Sequence, residues 1–325
     1  MKPENRKSLW LGIGVLLVGL LPVVFYWFPP EDLFSLRDFA PFRSTSLFEQ
    51  WLVVATAFGI KPAYLLLSLV TIIWLWRQRS PDLVALRWGL IAFWLGENAC
   101  SVDYLLLNGN SDLWEYLHNF GMAVCFSFVT YALLEGMDRR LIKYSAAQDR
   151  CAALSLCRAC IKYTDAPCGL RRVFAMLIPA TMIMTVMLLN ADIKPSAYDT
   201  RIVGVSVHYT ELLSDQLFEL RYCPALAMLL LAAAWLVLLF KRVEPVPLAK
   251  VLFAAAIGPL GFGFMRLFLY GAYHDDLILF VVWEEITELI FTFAVMFILL
   301  VFRHSLLARV TPVPAAQSGH PEPIA

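Results

Sequence analysis

Eight stretches of about twenty mostly apolar residues constrain this 325-residue chain more than any other feature, because each is long enough at ~1.5 Å per residue to cross a ~30 Å hydrocarbon core. They run near 9–28, 57–76, 83–107, 113–135, 173–190, 223–240, 248–271 and 277–302. Composition agrees: 60% of residues are hydrophobic and 16% charged, against about 45–50% and about 25% in an ordinary soluble domain. Backbone amides in lipid must bond within their own segment, so the expected fold class is all-α, a polytopic membrane helix bundle forming one domain over 1–310.

Sidedness follows from the short loops, since Lys and Arg are retained on the cytoplasmic face. Lys2, Arg6, Lys7, Arg77, Arg79, Arg139, Arg140, Lys143, Arg150, Arg158, Lys162, Arg171, Arg172, Lys241, Arg242, Lys250, Arg303 and Arg309 fall on one side. The other side carries only Arg37, Arg43, Lys194, Arg201 and Arg221, with Lys61 near a helix mouth. An even number of spans keeps this alternation, so eight spans with both termini cytoplasmic are expected, in a plasma (inner) membrane. The first stretch is too long for a typical signal h-region and lacks a small-x-small cleavage site, so it reads as a retained anchor.

Segment 191–222 spaces His208, Glu211, Asp215 and Glu219 opposite Leu213, Leu217 and Leu220, which predicts an amphipathic helix on the outer surface whose acidic stripe is solvated or functional. The Pro-rich tail 311–325 has too little apolar surface to order. No fixed-period or inverted repeat is visible, which weighs against the commonest transporter architectures.

Ionisable residues at membrane depth cost about 2.5–3.5 kcal/mol or more to insert, so they default to functional candidates. Glu97, Ser101 and Tyr104 share one face of the third span, and Glu115, His118, Asn119 and Met122 one face of the fourth. Arg266 lies near the outer end of the seventh span, and the eighth carries Glu284, Glu285 and Glu288. All of these fall in the outer half of the bilayer. Glu115-x-x-His118 has the spacing by which helical bundles hold di-iron or di-manganese centres. The candidate metal ligands are therefore Glu97, Glu115, His118, Glu285 and Glu288 for iron, manganese or zinc, with Arg266 and Glu284 balancing charge. The competing readings are a proton or ion path, and a network that only specifies helix packing.

The loop 138–171 gathers Cys151, Cys157, Cys160 and Cys168 among basic residues. In a reducing cytoplasm such a cluster reads as a zinc or iron–sulfur site, a dithiol switch at Cys157 and Cys160, or no ligand at all. Its spacing matches no ferredoxin or zinc-ribbon pattern.

Acids and bases balance at 26 each, so nothing argues for nucleic acid as a partner. No phosphate loop, dinucleotide fingerprint, haem-attachment motif or His-Glu-x-x-His helix occurs, so no nucleotide cofactor is expected. Ser101, Asp103, His118, His208 and His274 lack the paired helical histidines of intramembrane zinc hydrolases. The functional expectations are a metal-binding membrane oxidoreductase fed by the cysteine loop, a cation- or proton-coupled transporter acting on a small solute or ion, or a non-catalytic assembly scaffold.

Overall fold

The computed structural model of the protein describes residues 41–107, 111–142, 169–191, 196–211, 218–240 and 246–306. The expected first span at 9–28, the four loop cysteines and the tail 311–325 lie outside these residues. The chain is predominantly helical. Helix α1 runs Leu47–Leu75 with a π-helical turn at Thr56–Ile60. It is followed by α2 (Pro81–Leu106), α3 (Asp112–Gly136, continued by a π turn at Met137–Ile142) and α4 (Gly169–Leu189). A hairpin of β1 (Ser196–Ile202) and β2 (Val205–Glu211) precedes a π turn at Phe218–Tyr222. The chain then forms α5 (Cys223–Phe240), α6 (Val246–Tyr273), α7 (Leu277–Val301) and the short α8 (Arg303–Leu306).

Four of these helices, Leu47–Leu75, Leu113–Arg140, Glu219–Leu239 and Val246–Tyr273, are long and apolar enough to cross a membrane. α7 is strongly apolar but carries three carboxylates, α2 carries Arg87 and Glu97, and the apolar stretch of α4 at Val173–Leu189 is shorter. Large apolar side chains such as Phe58, Met176, Ile183, Leu229 and Phe293 stand exposed on the helix flanks, the pattern of a surface solvated by lipid tails.

The helix ends sort into two levels. Pro81, Met137–Ile142 and Val246 lie at one end with Arg77, Arg79, Arg139, Arg140 and Lys250; Leu107, Ser111, residues 274–276 and the hairpin lie at the other. α6 is the core element, packing Ala249, Phe253, Ala256, Leu260 and Leu269 with Phe174 and Ile178 of α4 and Ala227, Leu231 and Leu238 of α5. A second core joins Tyr64, Phe93, Met122, Cys125 and Phe262 from α1, α2, α3 and α6.

Two findings depart from the sequence expectation. First, α1 begins ten residues before the predicted start at 57. Ser46 caps it through a capping box, Glu49 N donating to Ser46 Oγ (3.2 Å) and Ser46 N to Glu49 Oε2 (2.6 Å). Lys61 is thereby the midpoint of a 29-residue helix and not a residue at its mouth.

Second, the amphipathic helix expected within 191–222 is corrected over Ser196–Glu211, which form an antiparallel hairpin pairing Asp199 with His208. The physical reason is local. Thr200, Ile202, Val205 and Val207 prefer pleated backbone, and Val203–Gly204 makes a tight turn with positive φ at both positions (48° and 82°), the geometry that matches strand twist. Tyr198 and Ile202 face inward on Leu277, Ile278 and Val282 of α7.

The hairpin is tied to the start of α7. Tyr198 Oη accepts from Ile278 N (3.0 Å), and Asp276 caps the helix by accepting from Leu279 N (3.2 Å). Arg43 donates both guanidinium nitrogens to Asp276 at 2.8 Å. Partial burial pushes the Asp276 carboxyl up, but the Arg43 bonds outweigh it and hold the group below the usual carboxylate range. The same bonds raise Arg43 further above its ordinary value.

Candidate functional site

Glu97 and His118 are brought together by a close approach of α2 and α3. Neither Gly96 nor Gly121 has a side chain to keep α2 and α3 apart. A Cβ on Gly121 would stand 2.8 Å from both the Ala92 carbonyl oxygen and Gly96 Cα, so no larger residue fits without moving a backbone. On the neighbouring turns Glu97 is fully buried and His118 nearly so, with His118 Nδ1 3.1 Å from Glu97 Oε1.

The π turn at Thr56–Ile60 places Lys61 and Tyr64 against the same acid; such insertions rotate the following helix face and recur at functional sites. Lys61 Nζ donates to Glu97 Oε2 (2.8 Å) and Glu285 Oε1 (2.9 Å), and lies 3.7 Å from Cys100 Sγ. Tyr64 Oη reaches Glu97 Oε2 (2.5 Å) and Glu285 Oε2 (2.6 Å). Glu288, one turn further along α7, is buried among them, and its Oε2 has no hydrogen-bond partner.

Ligand atoms of Glu97, Glu285 and Glu288 lie within 4.8 Å of one another. At ~1.5 Å per residue these three carboxylates sit about 12–17 Å from the hairpin-side ends of their helices.

Four of the five ligand candidates named from sequence, Glu97, His118, Glu285 and Glu288, thus converge. The fifth, Glu115, is close enough to act electrostatically on His118 and Cys100. The charge-balancing pair sits beside this cluster. Arg266 meets Glu284 at 2.7 Å and is bonded on its other side to Glu219, which is fully buried. Glu219, expected on an acidic surface stripe, is therefore an interior residue, set in place by the π turn at Phe218–Tyr222.

Sequence reading missed Lys61, Tyr64 and Glu219. A signal for Lys61 existed in Ser46-x-x-Glu49 followed by an apolar run, which starts the helix early enough to bury it.

A third charged group occupies the Arg-rich end. Lys250 bridges Glu135 and Asp138 (3.0 Å to Asp138), Arg139 returns to Glu135 at 2.5 Å, and Arg140 holds Asp82 at 2.8 Å with Ser80 also bonded to Asp82. Asp82, Glu135, Asp138 and Lys250 are all buried.

A carboxylate-rich donor set with one imidazole suits iron, manganese or another oxygen-seeking cation. Two of its three carboxylates are already bridged by the Lys61 ammonium, which would compete with a metal for them. No protein-family model, curated protein or solved structure matches the chain.

Proposed function

We propose that the chain is an eight-span integral protein of the plasma (inner) membrane, with both termini cytoplasmic, that exchanges protons for a small inorganic cation at the Lys61–Glu97–Glu285–Glu288 cluster: a proton-coupled cation transporter. The membrane placement draws on the four long apolar helices, the exposed apolar flanks and the collection of Arg77, Arg79, Arg139, Arg140 and Lys250 at one end.

One observation carries the activity. Among the described residues the two adjoining clusters hold five carboxylates, Glu97, Glu219, Glu284, Glu285 and Glu288, against two fixed cations, Lys61 and Arg266, and one imidazole, His118. Net charge in a medium of low dielectric is too costly to leave uncompensated, so the excess is neutralised by bound protons or a bound cation. Groups that must hold a counter-charge and have exchangeable ones available are the minimum equipment for coupled exchange. Lys61 is the internal competitor, its ammonium occupying the place that an arriving cation would take between Glu97 and Glu285.

The test is reconstitution into vesicles loaded with a pH-sensitive dye, followed by addition of sodium, potassium, magnesium, calcium or manganese ions in turn. At least one cation drives proton movement in the wild type, and Glu288→Gln reduces it to background. Flux with none of them, or flux unchanged in Glu288→Gln, overturns the reading.

The mutual approach of Glu97, Glu285 and Glu288 favours a second reading, a resident iron, manganese or zinc ion in a redox protein. Stoichiometric metal in purified protein that disappears in Glu97→Gln would establish it. The cysteine centre that would feed electrons lies outside the described residues.

A further inference from the structure

The acidic cluster does not end abruptly. On α1 the face that presents Lys61 continues through Tyr64, Ser68 and Thr71, at spacings of three and four residues, and Tyr64, Ser68 and Thr71 are at most 1% exposed. On α7 the face of Glu288 continues one turn on through Thr292, also 1% exposed.

These hydroxyls donate only to carbonyls of their own helices: Ser68 to Leu65 O (2.9 Å), Thr71 to Leu67 O (2.7 Å), and Thr292 to Glu288 O (3.1 Å) and Leu289 O (3.0 Å). Each oxygen keeps acceptor capacity free. Such back-bonding slightly weakens a helix; Thr181 and Thr185 of α4 bond in the same way, and what sets Ser68, Thr71 and Thr292 apart is that their faces lead directly from the acidic cluster. At the cluster end, the unpartnered Glu288 Oε2 supplies an independent mark of a polar ligand, water or proton carrier in this seam.

Toward the Arg-rich end the polar faces stop. Leu75 closes α1, Leu83 opens α2 and Leu299 lies near the end of α7; with Ile72 and Leu90 they form one contiguous apolar cluster, each at most 6% exposed. A short hydrophobic constriction in series with a polar passage gates by excluding water.

We propose that Ser68, Thr71 and Thr292 line the route by which protons pass between the Glu288 cluster and the Arg-rich face, and that Leu75, Leu83 and Leu299 are its gate. This assignment rests on the transporter reading, and it adds the path and the closed side. In the structure Leu75, Leu83 and Leu299 are packed together at the Arg-rich end of this route.

The experiment measures passive proton entry into dye-loaded vesicles under a potassium diffusion potential, with no exchanging cation present. Leu299→Ser raises the leak by about tenfold over wild type, the factor that corresponds to a barrier lowered by about 1.4 kcal/mol. Adding Thr71→Val and Thr292→Val to Leu299→Ser returns the leak to the wild-type level. Ile73→Ser, on the exposed flank of α1, leaves it unchanged.

A Leu299→Ser leak no larger than that of Ile73→Ser, or one that survives the two valines, overturns the path. Should Leu299→Ser not elute as a single species, Leu83→Ser opens the same gate from another wall and carries the same expectation. Cation-driven exchange by wild type in the same vesicles reports separately on the transporter reading. Exchange without a leak removes the path alone, and a leak without exchange removes the transporter reading and leaves the path.

Discussion

The two ends of the bundle bury charge in opposite ways. At the Arg-rich end three acids, Asp82, Glu135 and Asp138, meet three bases, Arg139, Arg140 and Lys250, and each acid has a cation within bonding distance. At the hairpin end acids outnumber bases, two acids share each fixed cation, and one oxygen of Glu288 has no partner. A balanced network needs nothing from outside and serves to hold helices in register; an unbalanced one needs a proton or cation that can also leave. On this contrast rests the proposal that the unbalanced cluster, and not the balanced one, is the functional site.

The same chemical change therefore has opposite consequences at the two ends. Glu135→Gln removes one of the two acids that pair the buried Lys250, leaving it Asp138 alone, and costs about 3 kcal/mol, the lower end for breaking a buried ion pair. Glu288→Gln removes a buried acid that needs a proton or cation to neutralise it and leaves stability equal or higher. Thermal unfolding of the purified variants in detergent at neutral pH reads both; equal losses would erase the distinction. Gly121→Ala comes next, at about 1–3 kcal/mol for overpacking, because the new methyl must push α3 away from α2. On the proposed transporter reading its signature is loss of exchange through separation of Glu97 from His118, while the Arg-rich network, further along both helices, keeps its pairing.

The smallest effect belongs to the partly exposed Arg43–Asp276 pair, worth no more than about 1 kcal/mol after solvent screening. Because the folded state depresses the Asp276 carboxyl, its contribution is present above the unfolded value near ~3.9 and fades as pH falls through the lower folded value. Melting temperatures of wild type and Asp276→Asn thus differ at neutral pH and converge in acid. A gap that persists or widens in acid would show that Asp276 acts otherwise than as a carboxylate paired to Arg43.

Much of the bundle was legible because apolar length is a direct record of helix position. The predicted limits 83–107, 113–135 and 277–302 fall within two residues of the ends of α2, α3 and α7. The depth of Glu97, His118, Glu285 and Glu288 could be read from the same pattern, which is why they were recognisable as one group. Lys61 escaped because a charge followed by Pro62 looks like a helix start, whereas here both follow a π turn inside a longer helix. Glu219 and the hairpin escaped together: the spacing His208, Glu211, Asp215, Glu219 imitates a helical face, and the β-branched alternation around Val203–Gly204 was the stronger local signal. Which acid meets which base depends on helix rotation, and the π turns reset that rotation in a way that spacing alone does not reveal.

The imbalance at the hairpin end is most directly tested by infrared difference spectroscopy of the protonated-carboxyl C=O stretch in purified protein at neutral pH. The wild type shows a band that is lost when a coupled cation is added and that is missing in Glu288→Gln. A wild-type spectrum without that band, in protein that also contains no bound cation, would contradict the imbalance.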